Sequence, residues 1–451
     1  MPSVADALSA FAPAFYQRYG GHVPLESRKV LDAIIRCRTG QLGGVLYQCQ
    51  SCQRQHWTGR SCGNRHCPNC QFEKTQAWLA KQTANLLPVH HFCVTFTVPA
   101  ELRMTLRSAK RDGYEALFNA AADSLRDVGS AMRSLKDCQL GFFGVLHTWG
   151  RDPLVYHPHV HFVVPGGGVL VDEAGDPLEW RSTAEDFLVC HKTLIRVYKA
   201  KLTDQLRACG LYEDIPESAW KKKSVVDIKP VGDGRAVLKY LAPYVHRVAI
   251  CNKRIVSVDE THVTYTARPS GSSHTVTRRV EGLRFVGGFL QHVLPRRFKK
   301  VRYYGWLSAN SRIDIEEVRW LVCLFLGVTF LLATGGRQAE TSPPDRPHCR
   351  HCGGKMEVVL IVDARCRLLV ETMRCTFHTT DKLKTLFPER SEKLRADLQE
   401  SPEKPATPTL TDLTKPQCPR RTRRSSIKTC LVINSVRHAR RCRSEATPKR
   451  I

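Results

Sequence analysis

Residues Tyr156 to Gly168 read YHPHVHFVVPGGG. The apolar, β-branched run ending at Pro165 predicts a strand over 159–165. Side chains at i and i+2 share a face of a strand, so His159 and His161 point one way, and Val160, Phe162 and Val164 fill the core side. Two imidazoles about 6–7 Å apart along that rise can chelate one divalent ion. His157 falls on the same face, although Pro158 disturbs regular pairing. A lone histidine in a strand is usually a core residue, but three within five residues favour a metal site. Gly166 to Gly168 free the backbone to turn sharply or to pass near a ligand.

Around this stretch, residues 88–305 alternate strands and helices. HFCVTFTVP (91–99), LGFFGVLHT (140–148) and 224–230 read as further strands, and 101–136 and 184–208 as helices. Downstream, Gly234 to Ile250 read GRAVLKYLAPYVHRVAI. Val237, Leu238, Leu241, Val245 and Val248 form an apolar stripe at helical spacing, and Tyr240 and Tyr244 share a face four residues apart. Pro243 should bend or break that helix. Such tyrosine pairs are usually packing. Here Lys239, His246 and Arg247 suit a phosphate better than a core. A phenolate is a competent nucleophile toward a phosphodiester, because the ester it forms stores the cleaved bond for transfer. A bound divalent ion would polarise the phosphate.

Upstream, Val30, Leu31, Ile34 and Ile35 fall at helical spacing, and Gly40, Gly43 and Gly44 end the run. The next segment, YQCQSCQRQHWTGRSCGNRHCPNC, carries Cys49-x2-Cys52 and Cys67-x2-Cys70. Two such knuckles can complete one tetrahedral zinc site of four thiolates, which staples a segment too poor in apolar residues to order itself. Cys62, His56 and His66 leave room for another ligand set or a second ion. Arg54, Arg60 and Arg65 are candidates to face DNA.

The whole chain has 451 residues, room for about two or three domains. Its 69 Lys and Arg against 42 Asp and Glu give a formal charge of +27, which points to a polyanionic partner. A hydrophobic fraction of 42% excludes wholesale disorder, and collagenous, methionine-rich and acidic classes are excluded too. The N-terminus lacks a secretory pattern, and five of the 19 cysteines crowd into 49–70, so a reducing, cytoplasmic setting is expected. LVCLFLGVTFLLAT (321–334) is shorter than the ~20 residues a membrane helix needs and reads as a buried helix or strand pair. Arg296, Arg297, Lys299, Lys300 and Arg302 form a basic run suited to phosphate contact. Cys349-x2-Cys352 invites a second zinc site whose partners would be Cys366 and Cys375. From Ser401 onward, 13 Lys and Arg against 3 Asp and Glu predict a disordered basic tail.

These blocks, with LHTWG (146–150) and LPRRFKKVRYYGWL (294–307), resemble the IS91 family of transposases, HUH-type rolling-circle enzymes with two tyrosines. The resemblance covers most of residues 25–310. It implies an α+β chain with a small Cys-rich zinc-binding domain ahead of a nuclease domain whose central antiparallel sheet is flanked by helices. The expected divisions are 1–87 helical and zinc-binding, 88–310 nuclease, 311–400 a C-terminal extension with the second knuckle, and 401–451 the tail. His159 and His161 match the histidines that hold Mg²⁺ or Mn²⁺, and Tyr240 and Tyr244 match the nucleophiles. The third ligand is left among His147, His157 and His246, with His147 preferred. The implied reaction nicks and rejoins single-stranded DNA at element ends through a 5′-phosphotyrosine, without ATP, membrane or small-molecule substrate. A plasmid replication initiator or relaxase would share that chemistry. A non-catalytic zinc protein that only binds nucleic acid would explain the charge and cysteines but not the paired histidines and tyrosines.

Overall fold

Ser3 begins the first helix, α1 (Val4–Tyr19), with a reciprocal cap: its hydroxyl accepts from Asp6 N, and the Asp6 carboxylate accepts from Ser3 N. The computed structural model describes residues 2–371 apart from 223–225, 246–249, 270, 271, 273, 329–346 and 366; the side chains of Tyr244, Val370 and Glu371 also fall outside the description. The expected tail from 401 onward therefore lies outside the described residues. Helix α2 (Leu25–Ile35) buries Val30, Leu31 and Ile34, as their spacing predicts. A hairpin of β1 (Gly44–Cys49) and β2 (Gln55–Gly59) leads to α3 (Phe72–Ala84). Then come β3 (His91–Thr97), α4 (Leu102–Ser108), α5 (Lys110–Ser130), β4 (Cys138–Gln139), β5 (Phe142–Trp149) and β6 (Tyr156–Pro165). They are followed by β7 (Gly167–Val171), β8 (Pro177–Ser182), α6 (His191–Ala208), α7 (Glu217–Lys221), β9 (Val226–Pro230) and α8 (Arg235–Val245). The described chain closes with β10 (Ile255–Val258), β11 (His262–Ala267), β12 (Val276–Glu281), α9 (Gly282–Leu290), β13 (Val301–Tyr304), α10 (Ile315–Phe325), β14 (Met356–Val362) and β15 (Leu368–Glu371).

Five strands in the order β13-β5-β6-β3-β9, every neighbouring pair antiparallel, make the central sheet. Strand alternation divides its side chains between two faces. Phe92, Val94, Phe96, Phe142, Leu146, Val160, Phe162 and Val164 pack against Leu117 and Leu125 of α5 and Leu202 of α6. Phe143, Val145 and Val163 point the other way, against Val237, Leu238 and Leu241 of α8 and Trp78 of α3. The fold is thus mixed helix and sheet with antiparallel sheets, as expected. Smaller antiparallel sheets follow the orders β4-β7-β8, β10-β11-β12 and β15-β14-β1-β2.

Two local expectations change. The helix read over 101–136 is two helices, because Ala109 (φ −115°, ψ 59°) breaks the run. Helix α8 continues through Pro243, which sits near its end. The glycine triplet bends the chain at Gly166, between β6 of the central sheet and β7 of a smaller one, and also allows close packing: a Cβ on Gly166 would meet the His90 ring at 1.9 Å, and one on Gly167 the Trp180 ring at 2.5 Å. From the apolar run at 321–334, Leu321, Val322 and Cys323 are buried in α10, with Leu321 and Val322 against Val169 and Trp180. Residues 329–334 lie outside the described residues. Among the described residues no helix is long and apolar enough to cross a membrane.

Candidate metal centre and active-site cleft

His159 and His161 occupy β6 on the face toward α8, and antiparallel register sets His147 of β5 directly opposite His159. The ligand-capable nitrogens of all three lie within 4.8 Å of one another, and all three side chains are buried. His159 Nε2 and His161 Nε2 are 3.0 Å apart. Two ligands at adjacent corners of an octahedron with bonds of about 2.1 Å are separated by about 3.0 Å, so the spacing suits a shared divalent ion. The outward nitrogens are anchored: His159 Nδ1 donates to the His157 carbonyl at 2.8 Å, and His161 Nδ1 lies 2.9 Å from Thr95 Oγ1. The carbonyl can only accept, so it fixes the His159 tautomer that leaves Nε2 unprotonated, while the Thr95 hydroxyl anchors the His161 ring with Nε2 toward His159. Burial lowers the pKa of all three imidazoles, that of His161 to about 4, keeping them neutral and able to ligate. Of the two other third-ligand candidates, His157 stands outside this cluster, and His246 lies outside the described residues.

Tyr240 projects from α8, 55% exposed, its ring perpendicular to His161 with centroids 6.1 Å apart. Tyr244 follows on the same helix, but its side chain is outside the description. A cleft of about 960 Å³ opens over the triad and is lined by Tyr240, Arg103, Arg151, Arg254, Arg268 and Arg278 among others. Asp152, also in its wall, pairs with Arg278 at 3.1 Å. A concave, cationic surface over three neutral imidazoles and a phenol can hold a phosphodiester backbone.

The basic residues expected to face DNA divide into two groups. Arg296, Arg297 and Lys299 are exposed. Arg65 instead donates to the carbonyls of Phe298 and Pro295, both at 2.7 Å, and so clamps the turn before β13. Arg302 pairs with Glu115 at 2.7 Å and stacks over Phe118 at 4.2 Å, because β13 turns that side chain toward α5. Lys300 lies over the Trp149 ring at 4.9 Å, and Trp149 in turn stacks on His147 at 4.9 Å. These three buttress the site from behind rather than reach into the cleft. Arg247 lies outside the described residues.

The cysteines also differ from expectation. Cys49 and Cys52 do not meet Cys67 and Cys70. Cys67 and Cys70 gather with Cys37 and Cys62, while Cys49 and Cys52 gather with Cys349 and Cys352. The β1–β2 hairpin is the cause. Six extended residues span ~17–20 Å, so the Cys49–Cys52 turn sits at the hairpin tip, far from its base. The returning strand brings Cys62 back beside Cys37, where Arg38 N donates to Arg60 O at 3.1 Å. In the first cluster Cys37 and Cys70 Sγ are 3.5 Å apart, and Cys62 and Cys70 Sγ 3.7 Å. The neighbouring Cys67 side chain and the Asn64 N–H draw the Cys62 thiol down to about 5. His66 is in neither cluster: its Nε2 accepts from Leu294 N at 3.1 Å, a buried link between segments. Cys37 belongs to no CxxC pair, so spacing alone does not single it out. The signal that could is a count of six cysteines over 37–70, two more than one tetrahedral site takes. Thr95 and the cleft arginines, which come from α4, β12 and the segments next to β5, β10 and β11, carry no motif.

Two families match the chain. A family described as “Putative transposase” matches residues 141–313, and one described as “Transposase zinc-binding domain” matches residues 7–98. A relative described as “Putative transposase y4qJ”, from Sinorhizobium fredii (strain NBRC 101917 / NGR234), is 32% identical over 333 residues, covering 69% of this chain and 81% of that one. The “Transposase for insertion sequence element IS801” of Pseudomonas savastanoi pv. phaseolicola is 28% identical over 306 residues, covering 62% of this chain and 70% of that one. No solved structure matches the chain.

Proposed function

Since the chain belongs to the IS91 family of transposases, with its zinc-binding domain, we propose that it nicks and rejoins single-stranded DNA through Tyr240 at the His147–His159–His161 centre. The observation that carries this reading is the Tyr240 ring standing 6.1 Å from His161 at the mouth of a cationic cleft. A divalent ion, Mg²⁺ or Mn²⁺, held by the three imidazoles would polarise the scissile phosphate and offset its charge. The cleft arginines bind and orient the strand. The Tyr240 oxygen loses its proton and attacks phosphorus; a P–O bond to tyrosine forms as the bond to the 3′-oxygen breaks, and that oxygen leaves as a hydroxyl after taking a proton. The product is a 5′-phosphotyrosine, which a later 3′-hydroxyl reverses in rejoining. No bond energy is lost to water, so no nucleotide cofactor is needed. Tyr244, the second tyrosine of the pair, would serve a second cleavage.

Cys37, Cys62, Cys67 and Cys70 suit a structural zinc ion in the zinc-binding domain, which supports α2 and the start of α3. Incubation with labelled single-stranded oligonucleotides from element ends and Mn²⁺ tests the nuclease reading. The expected result is a covalent adduct, absent in Tyr240→Phe, in the double variant His159→Ala/His161→Ala, and after chelation. DNA binding with no adduct under any divalent ion would favour the non-catalytic alternative.

A further inference from the structure

The second cysteine group joins two parts of the chain that are 303 residues apart between Cys49 and Cys352. Cys49 and Cys52 sit at the tip of the β1–β2 hairpin, and Cys349 and Cys352 immediately precede β14. Strand β14 pairs antiparallel with β1 from Gly44↔Val362 to Cys49↔Met356, so both CxxC turns emerge at one end of the four-stranded sheet. The turns have the same construction. Cys49 N donates to Arg54 O at 2.9 Å and Gln53 N to Cys49 O at 3.0 Å; Cys349 N donates to Gly354 O and Gly353 N to Cys349 O, both at 2.8 Å. The residue after each pair is left-handed, Gln53 at φ 58° and Gly353 at φ 73°. Backbone amides point at the sulfurs, from Cys52 to Cys49 at 3.5 Å and from His351 to Cys349 at 3.4 Å.

The sulfurs face one another across the two turns. Cys49 Sγ is 3.4 Å from Cys352 Sγ, and Cys52 Sγ is 3.7 Å from Cys349 Sγ. Zn–S bonds of about 2.3 Å put the corners of a tetrahedron about 3.8 Å apart, close to these separations. His56 of β2 brings Nε2 within 3.3 Å of Cys349 Sγ, a donor to offset thiolate charge. A Cβ on Gly354 would meet Ser51 Oγ at 2.4 Å and Cys49 Sγ at 3.1 Å, so the two turns are pressed as close as backbone permits.

We propose that Cys49, Cys52, Cys349 and Cys352 hold a second zinc ion, a clasp that fastens β14 and β15 to the N-terminal hairpin. The late pair falls outside both family matches, the later of which ends at residue 313. The partners expected from sequence for it, Cys366 and Cys375, lie outside the described residues. The clasp is independent of the nuclease centre, so either can fail without the other. Its metal is also the more accessible one. Cys352 is exposed and Cys52 half-buried, whereas three of the four cysteines in the first cluster are buried.

The test is metal analysis of the full chain. Purified protein should carry two zinc ions, and a chelator should remove them in two phases, the faster from the clasp. Cys349→Ser/Cys352→Ser should bind one ion, lose the fast phase, and exchange backbone hydrogens faster across Met356–Val362, while the exchange of β5 and β6 stays unchanged. Reconstitution with Co²⁺ should give the strong thiolate charge-transfer absorption of two tetrahedral sites in the parent and about half that intensity in the variant. Two ions in the variant, or one ion in the parent with Cys349 and Cys352 freely alkylated under native conditions, would overturn the proposal. Should the variant be poorly folded, the two-phase release and the Co²⁺ intensity of the parent decide the matter alone.

Discussion

Thr95 illustrates how a residue with no motif can govern a site. Its hydroxyl lies 2.9 Å from His161 Nδ1 and so anchors the ring that turns Nε2 toward His159. Second partners of this kind typically contribute 10–100-fold in metal affinity. Thr95→Val should therefore weaken Mn²⁺ binding by ~10–100-fold in a calorimetric titration. Adduct formation should recover at high Mn²⁺, whereas Tyr240→Phe should not recover at any concentration. The basic residues separate in the same fashion. Arg302→Ala removes the Glu115 pair and the stack on Phe118, and should cost roughly 1–3 kcal/mol of stability in denaturant unfolding. Joint replacement of Arg296, Arg297 and Lys299 by alanine should leave stability near the parent's. It should flatten the salt dependence of single-strand binding by up to ~2 in log–log slope, at about 0.7 for each phosphate no longer neutralised.

At the scale of elements, the centre depends on β5 and β6 being in one register. A one-residue slip would turn His159 and His161 from the α8 side into the face filled by α5 and α6. On its other edge β5 pairs with β13, and the corner leading away from β13 turns through Gly305. This residue is left-handed at φ 58°, and a Cβ there would lie 1.6 Å from Leu140 O. Gly305→Ala should cost ~1–3 kcal/mol, read as a lowered unfolding midpoint. Trp149 and Lys300 brace His147 from the same edge, so the third imidazole should suffer before the pair on β6 does. Helix α8 makes the complementary contribution, carrying Tyr240 to the cleft while Val237, Leu238 and Leu241 grip the sheet.

For the whole molecule, pH is a sensitive variable because several histidines are buried neutral. Burial lowers His91 to about 4 and His292 to about 3. Below the ordinary pKa near 6.5 the unfolded chain takes up protons that these folded sites refuse. Stability is therefore fully present above about 6.5 and is lost as pH falls from there toward 4, by up to about 1.4 kcal/mol per pH unit for each group. Thermal midpoints measured between pH 7 and 4.5 should fall, and His292→Gln should make the fall less steep. The charge of +27 acts on the same scale, favouring long polyanions over compact anions.

What the sequence determined by itself was mostly local or periodic. Alternation along 156–165 set the face of the histidine pair, and the i, i+4 spacing placed Tyr240 and Tyr244 on one helix, because such patterns report neighbours a few residues away. Family resemblance and composition pointed to DNA and to zinc for the same reason: they need only residue types in order. Only the tertiary structure decided which cysteines share a cluster, that His147 joins His159 and His161 while His66 joins neither cysteine cluster, and that Arg65, Lys300 and Arg302 look inward. Those outcomes depend on strand register and on where a hairpin's tip and base come to rest. Both are set by packing between distant segments, and Cys49 and Cys352 meet across 303 residues of chain, a relation that no local spacing records.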